Sequence, residues 1–295
     1  MTAFALTAAL LPGGRIDEWH PGRPAYVVAD VDGMLVGTSP VATDVVVAAA
    51  LSAAEEGIAI GVATGRFLRG VVPLLDQRGL VGPHLVHNGA EVRVGGVVVK
   101  RWSFTAAQRD ALAAMCHARG WYGELFVGDG YVVTSTPDEA RAHWEMMGSG
   151  PDAVVEGSVA HLDVIKASVV VFDRARVGAV VAGVESLGLA AGVALSPLLP
   201  TYGFVNITHP DADKGRALVW AAGSLGIDLS QVVAIGDASN DLTMLSVAGT
   251  AIAMGQADDE VKAAAHVVVP EVDADGVAHA LDAVRAWVTS PRREC

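Results

Sequence analysis

The segment Ala25-Tyr-Val-Val-Ala-Asp-Val-Asp-Gly-Met-Leu35 joins a short apolar run directly to two aspartates, Asp30 and Asp32. Three further motifs follow short apolar runs or open a helical segment: Ala63-Thr64-Gly65-Arg66, Lys214-Gly215 and Gly236-Asp237-Ala238-Ser239-Asn240-Asp241. Short apolar runs that alternate with helical patterns are typical of a parallel α/β sheet, which binds its ligands at the carboxyl ends of the strands. We therefore expect the four motifs to converge on one site.

The pattern along the chain predicts two domains. Up to about residue 90, strands at 25–30, 58–63 and 84–87 alternate with helices at 40–56 and 67–79. Hairpins and helices then interleave, with hairpins at 92–99 and 124–134, helices at 105–119, 137–147 and 174–187, and strands at 165–172 and 192–208. The first pattern resumes over 213–288. We predict an α/β fold with a Rossmann-like parallel-sheet core, helices on both faces, and an inserted α+β domain. The predicted ranges are 1–90 and 206–295 for the core, with 1–22 as an N-terminal extension, and 91–205 for the insertion.

The composition favours a cytoplasmic protein. Hydrophobic residues make up 52% of the 295 residues, but in runs too short for the roughly 20 residues that cross a bilayer. The apolar start, Met1 to Leu11, has no basic region before it and is a poor match to a signal peptide. Cys116 and Cys295 form neither a disulfide framework nor a metal-ligand cluster. We expect no membrane partner, and the sequence does not predict an oligomeric state.

The net charge of −13 argues against general nucleic-acid binding, because phosphate backbones favour clustered Lys and Arg. It is compatible with a small phosphorylated substrate, because a bound divalent cation and a few local bases can reverse the field inside a cleft.

Asp30 and Asp32 are suited to phosphoryl transfer. Residues i and i+2 leaving a strand point the same way, so both carboxyls can face one reacting centre. One carboxylate can attack phosphorus, and the other can protonate the leaving oxygen and then deprotonate water. A metal ion between the two would relieve their repulsion. The alternative for an isolated Asp-x-Asp-Gly is a solvated acidic turn.

The motif after the strand 232–235 adds further carboxylates. Asp237 would supply an oxygen ligand suited to Mg²⁺. Asp241 could hold a metal-bound water or pair with Lys214, and its alternative role is an acid in the first turn of a helix. Asn240 could simply cap that helix.

Thr64 and Lys214 supply a hydroxyl donor and a positive charge. Thr64 with the backbone N–H of Gly65 could hold phosphate oxygens, since turn amides form anion-binding nests. Lys214 could offset charge on the nucleophile and on the transferring group. Arg66 is a weaker candidate that could contact the substrate or a neighbouring acid. Taken singly, Thr64 could be only a turn residue and Lys214 a solvated lysine.

The ordered motifs together resemble the haloacid dehalogenase-like (HAD) hydrolases, and within them the Cof-like phosphatases, whose cap is inserted after the third core strand. The motifs that carry this resemblance are Asp30-Val-Asp-Gly33, Ala63-Thr-Gly-Arg66, Asn88-Gly-Ala90, Asp213-Lys-Gly215, Gly236-Asp-Ala-Ser-Asn-Asp-Leu-Thr-Met-Leu245 and Ala253-Met-Gly-Gln-Ala-Asp-Asp-Glu-Val-Lys262. The resemblance covers most of the chain.

The resemblance implies a role for each matching residue. Asp30 would be the nucleophile and Asp32 the acid/base. The Asp30 side chain, the Asp32 carbonyl and Asp237 would bind Mg²⁺. The residues implied to hold the phosphate are Thr64, Lys214 and Asn240. Asp241 would support a metal-bound water or the lysine, and residues 91–205 would form a mobile cap.

Two positions depart from the family pattern. Met34 stands where Thr or Val is usual, and Asn206 stands where many relatives carry an acid. The candidates for substrate specificity are Asn88, Asn206, Trp121, Tyr122, Lys166 and Tyr202, and for the last four packing or a surface role is the alternative.

The expected function is a Mg²⁺-dependent phosphatase that acts on a small organic phosphate, such as a sugar phosphate, through an aspartyl-phosphate. A phosphomutase or phosphotransferase of the same superfamily would use the same aspartates. A non-catalytic sugar-phosphate sensor on this scaffold is a third alternative. A dehalogenase is disfavoured, because Asp32 and the metal ligands would have no use in it.

Overall fold

The computed structural model describes residues 23–35, 42–67, 69, 71, 80–196 and 198–290. The strands in chain order are β1 (Tyr26–Ala29), β2 (Ala59–Val62), β3 (His84–Val86), β4 (Glu91–Val94), β5 (Val97–Arg101), β6 (Tyr122–Val127), β7 (Gly130–Val133), β8 (Ala153–Val154), β9 (Val164–Val171), β10 (Ala190–Ala194), β11 (Gly203–Thr208), β12 (Val232–Gly236), β13 (Thr250–Ala253) and β14 (Val267–Val268). The helices are α1 (Asp44–Glu55), α2 (Ala106–Arg119), α3 (Ala140–Met147), α4 (Val177–Glu185), α5 (Lys214–Ser224), α6 (Leu242–Val247), α7 (Asp259–Ala264) and α8 (Gly276–Thr289).

The first sheet is parallel and has the strand order β14-β13-β12-β1-β2. Every residue of β1, β12 and β13 is buried. Successive strand residues point to opposite faces, so both faces of the central strands are covered. This explains why these strands are continuous apolar runs and lack the alternation of a half-exposed sheet. The predicted parallel α/β core is confirmed.

Strand β3 continues the sheet beside β2 and then turns into a hairpin. Ala63 and Leu85 form a parallel bridge, and the Gly82 N–H donates to the Ile60 carbonyl. β3 pairs antiparallel with β4 in the sheet β3-β4-β5. The hairpin predicted at 92–99 is therefore present, and its first strand is hydrogen-bonded to β3.

Helix α1 shows how the sequence encodes the helical layer. Its buried residues recur at i, i+3, i+4 and i+7, the spacing of one helix face: Val46, Ala49, Ala50 and Ala53. Thr43 caps the helix by accepting a hydrogen bond from the Val46 N–H, and its hydroxyl donates to Asp275 before α8. Helix α1 packs against α8, and α5 packs against α6.

The second sheet has the order β10-β11-β9-β6-β7-β8, antiparallel except for the β7–β8 pair. One face joins α2 and α4 in a buried apolar cluster that includes Leu112, Ala167, Val169 and Val184. The opposite face carries an aromatic cluster whose members include Phe67, Tyr122, Phe126, Tyr131 and Phe204. The predicted α+β insertion is present.

The chain divides into two compact units. One takes in residues up to 65, residues 71–100 and residues from 214 onward; the other takes in residues 66–70 and 101–213. These limits differ from the predicted 91–205 because β4 pairs with β3 of the first unit, while β11 pairs with β9 of the second.

Most predicted elements match the structure within a few residues. The helix predicted at 174–187 is a 3₁₀ turn at Arg174–Arg176 followed by α4. The helix predicted at 67–79 lies mostly outside the described residues, and the N-terminal extension 1–22 lies entirely outside them. Among the described residues, no helix has both the length and the apolar character needed to cross a bilayer.

His84 is a buried polar residue at the start of β3. Its Nδ1 accepts a hydrogen bond from the Val62 N–H at 3.3 Å, which requires the nitrogen to be unprotonated. Burial lowers the pKa of His84 to about 4, and a hydrogen bond to the Leu80 backbone opposes this shift in part.

We predict an acid-dependent loss of stability from His84. The pKa of the imidazole is near 6.5 in the unfolded chain and about 4 in the folded protein, so the unfolded state binds more protons between these values. The free energy of unfolding should therefore fall as the pH drops from 6.5 to 4, by about 3 kcal/mol at the limit. The measurement is urea unfolding at several pH values.

His84→Asn is the matched variant, because its amide oxygen can accept the Val62 N–H without binding a proton. Subtracting its pH profile from that of the wild type removes the titration of other groups. Parallel profiles for the two proteins would contradict the assignment to His84.

Candidate active site

Asp30 and Asp237 leave neighbouring parallel strands at the same edge of the sheet. Ala29 lies opposite Ile235 in the β1–β12 pair, and the Asp30 N–H donates to the Ile235 carbonyl at 3.0 Å. Asp30 follows the last residue of β1, and Asp237 follows the last residue of β12. The carboxyl ends of these strands thus bring together motifs more than 200 residues apart in the sequence.

Lys214, the first residue of α5, places its ammonium between two carboxylates. Its Nζ donates to Asp30 Oδ1 at 2.8 Å and to Asp241 Oδ1 at 2.6 Å. The side-chain exposures are 1% for Lys214, 7% for Asp30 and 0% for Asp241. We call these three residues the buried ion triad. It joins three of the four motifs, as the sequence predicted.

Burial and charge act in opposite directions on the triad. Burial raises the pKa of Asp30 to about 7, against the attraction of Lys214. Burial by itself lowers the pKa of Lys214, but Asp241 and Asp30 outweigh it, so that pKa is raised and the ammonium keeps its proton. One ammonium faces two carboxylates, and a further cation would stabilise the ionised form of Asp30.

Asp241 is held on both of its carboxylate oxygens. Oδ1 accepts from Lys214, while Oδ2 accepts from the backbone N–H groups of Asp237 and Ala238 at 3.0 and 3.1 Å. Asp241 thus pairs with Lys214, and it also lies in the first turn of the short helix Ser239–Asp241; both roles were expected from the sequence. The same contacts fix the backbone at Asp237.

Gln256 is a site residue to which sequence reasoning assigned no role. Its Nε2 donates to Asp237 Oδ2 at 3.1 Å and to the carbonyl of Gly33. Gly33 has a φ of +73°, and a Cβ there would lie 2.4 Å from Asp237 Oδ2. Gln256 lies three residues after β13 ends, so the rule that polar residues after strand ends face the ligand could have identified it.

The carboxylates fit a divalent cation. Oxygen atoms of Asp30, Asp237 and Asp241 all lie within 4.8 Å of one another. Burial raises the pKa of the half-buried Asp237 to about 6, and a cation nearby would favour its ionised form. An all-oxygen donor set of this kind suits Mg²⁺. Asp32 has an exposed side chain two residues after Asp30.

The second motif lies beside the turn that follows β3. Thr64 is fully buried; its N–H donates to the Leu85 carbonyl, and its carbonyl accepts from the Asn88 N–H. A Cβ at Gly65 would lie 2.8 Å from Asn88 Oδ1. The exposed Asn240 donates from Nδ2 to the same Asn88 oxygen at 3.4 Å.

The remaining candidates belong to the second unit. Arg66 is half-buried. Lys166 on β9 is buried, with its Nζ 5.3 Å from the centre of the Phe126 ring. Asn206 on β11 accepts from the Ser168 hydroxyl at 3.4 Å. Among these residues, Lys166 and Asn206 lie on the two neighbouring strands β9 and β11.

The aromatic candidates take part in packing and hydrogen bonding within that unit. Trp121 joins the apolar cluster under α2 and α4. Tyr202 donates its hydroxyl to the Glu139 carbonyl at 2.9 Å. Tyr122 donates to Glu124 at 3.0 Å and accepts from the Trp144 indole at 2.7 Å.

Glu124 is the centre of a buried network that the sequence did not indicate. Its carboxylate is 1% exposed and also lies 3.2 Å from His143 Nε2. Glu124 and His143 are 19 residues apart on a strand and a helix, and neither stands in a recognisable motif.

The sequence profile of the haloacid dehalogenase-like hydrolases matches residues 27–281. The chain belongs to this family. A HAD phosphatase structure from Bacteroides thetaiotaomicron superposes with a TM-score of 0.75 at 22% identity, covering 89% of this chain and 95% of that one. The structure of a sugar phosphatase of HAD subclass IIB superposes with a TM-score of 0.72 at 24% identity, covering 86% and 96%. The resemblance to the haloacid dehalogenase-like hydrolases is confirmed by the profile match, and these superpositions show the same fold.

The first curated relatives match over a shorter length. A phosphoglycolate phosphatase of Archaeoglobus fulgidus is 42% identical over 76 residues, which are 26% of this chain and 34% of that protein. The match thus spans only about a third of the length of these curated relatives.

We predict that Lys214→Met destabilises the HAD core strongly. The substitution would leave Asp30 and Asp241 buried without their cation, which costs about 3–5 kcal/mol for a buried ion pair. The measurement is the free energy of unfolding at pH 7 in urea, with EDTA present so that no metal ion compensates.

The control is Lys262→Met, which replaces a half-buried lysine of α7 and should change the free energy of unfolding by about 0.5 kcal/mol or less. A loss below about 1 kcal/mol for Lys214→Met would show that the triad is not desolvated in solution.

Proposed function

We propose that the protein is a Mg²⁺-dependent phosphatase that hydrolyses a small phosphorylated metabolite through an aspartyl-phosphate. The observation that carries the proposal is the buried ion triad beside Asp237. A desolvated carboxylate held by a lysine, with further carboxylates within 4.8 Å, suits attack on a phosphorus atom.

Asp30 and Asp32 divide the chemistry between them. In the first step an oxygen of Asp30 bonds to phosphorus, the bond to the leaving oxygen breaks, and Asp32 gives that oxygen a proton. In the second step Asp32 takes a proton from water, and the water oxygen attacks phosphorus. The bond between phosphorus and Asp30 then breaks, releasing phosphate and the free carboxylate.

The other residues bind and orient. Asp30, the Asp32 carbonyl and Asp237 would hold Mg²⁺, which when bound supplies positive charge for the phosphoryl oxygens. Thr64, Gly65, Lys214 and Asn240 would hold the phosphate. Asp241 keeps Lys214 in place. Fixing these groups in advance lowers the reorganisation needed in the transition state.

Lys166, Asn206 and Tyr202 would be specificity residues, and Arg66 would support the bound substrate. We propose a sugar phosphate as the substrate class. The support is the fold shared with a sugar phosphatase of subclass IIB and the cation, amide and aromatic side chains that the second unit carries. The protein would act in the cytoplasm, without nucleic acid or membrane partners.

The test is phosphate release from a panel of phosphorylated metabolites, with Mg²⁺ and with EDTA. We expect metal-dependent release from the wild type, and no turnover for Asp30→Asn, because an amide cannot serve as the nucleophile. Asp32→Asn should slow turnover by roughly 10²–10⁴, the usual contribution of a general acid/base. Asp282→Asn, which changes an exposed aspartate of α8, is the control and should match the wild type.

Other outcomes would point to the alternatives. A required bisphosphate activator and an isomerised product would identify a phosphomutase. Ligand binding in Mg²⁺ without turnover would identify a sugar-phosphate sensor. Full activity of Asp30→Asn would refute the proposed mechanism.

A further inference from the structure

The turn after β3 has a backbone that side chains rarely adopt. Three consecutive residues have a positive φ: His87 at 56°, Asn88 at 58° and Gly89 at 84°. Outside glycine, such values are uncommon and are tolerated best by Asn and Asp. Strained residues of this kind persist where the surrounding structure holds them, and they concentrate at functional sites.

Two backbone hydrogen bonds hold this turn against the second motif. The Thr64 N–H donates to the Leu85 carbonyl at 2.8 Å, and the Asn88 N–H donates to the Thr64 carbonyl at 2.9 Å. The position of the Asn88 side chain is therefore set by the same strand end that carries Thr64 and Gly65.

The Asn88 side chain lies between two motifs that are far apart in the sequence. Its Oδ1 accepts a hydrogen bond from Asn240 Nδ2 at 3.4 Å. The same oxygen lies 2.8 Å from where a Cβ of residue 65 would be, so only glycine leaves room for it. Asn88 thus contacts two of the groups that the proposed function assigns to phosphate binding.

We infer that Asn88 is a positioning residue of the phosphate site: its side-chain oxygen orients the Asn240 amide and packs against Gly65. It acts on the part of the ligand that all phosphate monoesters share, and it does not distinguish between their organic groups. This replaces the role in substrate choice expected from the sequence, and it rests on the proposed function.

The test compares Asn88→Gly with the wild type. Glycine keeps the left-handed backbone and removes only the amide. With Mg²⁺ present, the Kd for inorganic phosphate, measured by calorimetry, should rise roughly fivefold, the effect of one neutral hydrogen bond. The KM values of all phosphate monoesters that turn over should rise by the same factor, leaving their order unchanged.

A double-mutant cycle with Asn240→Ala separates positioning from direct contact. If Asn88 acts through Asn240, adding Asn88→Gly to Asn240→Ala should change the Kd for phosphate by less than about twofold. An equal effect in both backgrounds, an unchanged Kd in the single variant, or a new order of substrates would each overturn the inference.

Gly65→Ala gives a second route that does not depend on Asn240. The new Cβ would displace the Asn88 oxygen, so Gly65→Ala should weaken phosphate binding, and less so when residue 88 is already glycine. Equal effects of Gly65→Ala in the two backgrounds would contradict the packing contact.

The control for the backbone is Asp275→Gly, which changes another residue with a positive φ, 52°, and should leave the Kd for phosphate unchanged. Circular dichroism of each variant confirms that it is folded. Failure of the proposed function would appear differently, as a wild-type protein that neither hydrolyses phosphate esters nor binds phosphate.

Discussion

The attraction between Lys214 and two buried carboxylates is the constraint on which the site depends. An ammonium at the start of a helix is disfavoured by the helix dipole, by about 0.3–1 kcal/mol, and its desolvation costs several kcal/mol more. The Lys214 ammonium lies 2.8 Å from Asp30 and 2.6 Å from Asp241, and these contacts offset both costs. Two opposite unit charges that are 4 Å apart already attract by about 4 kcal/mol at an effective dielectric constant of 20. The start of α5 and the ends of two strands are thereby held together.

The same interaction organises the backbone around it. The second oxygen of Asp241 accepts hydrogen bonds from the N–H groups of Asp237 and Ala238. The carboxylate that Lys214 holds in place therefore also fixes the backbone of the loop after β12. Gln256 then joins Asp237 to the turn at Gly33, after β1. Loops after three parallel strands are thus tied to one another by contacts within the protein, which limits the reorganisation required on binding.

Much of this arrangement could be predicted from the sequence, because parallel strands bring their carboxyl ends to one edge. The positions of Asp30, Asp237 and Lys214 follow from that rule together with the apolar runs that precede the aspartates. The contact of Asn88 with Asn240 and the pairing of Glu124 with His143 did not follow. Both depend on how side chains from distant elements pack, and hydrophobic periodicity carries no information about such pairs. The limits of the two units also depended on strand pairing, which short strands do not specify.

The order of the strands also determines when each part of the protein can form during synthesis. β1 pairs directly with β12, so Tyr26 cannot form its hydrogen-bonded pair until Val232 has been synthesised. Residues 101–213, in contrast, contain every strand of the second sheet. Every strand of the second sheet is synthesised before β12, and the pairing of β1 with β12 must then close a loop of about 200 residues. The central pairing of the parallel sheet is therefore a non-local contact whose second strand is made late in synthesis, and pairings of this kind are intrinsically slow to form.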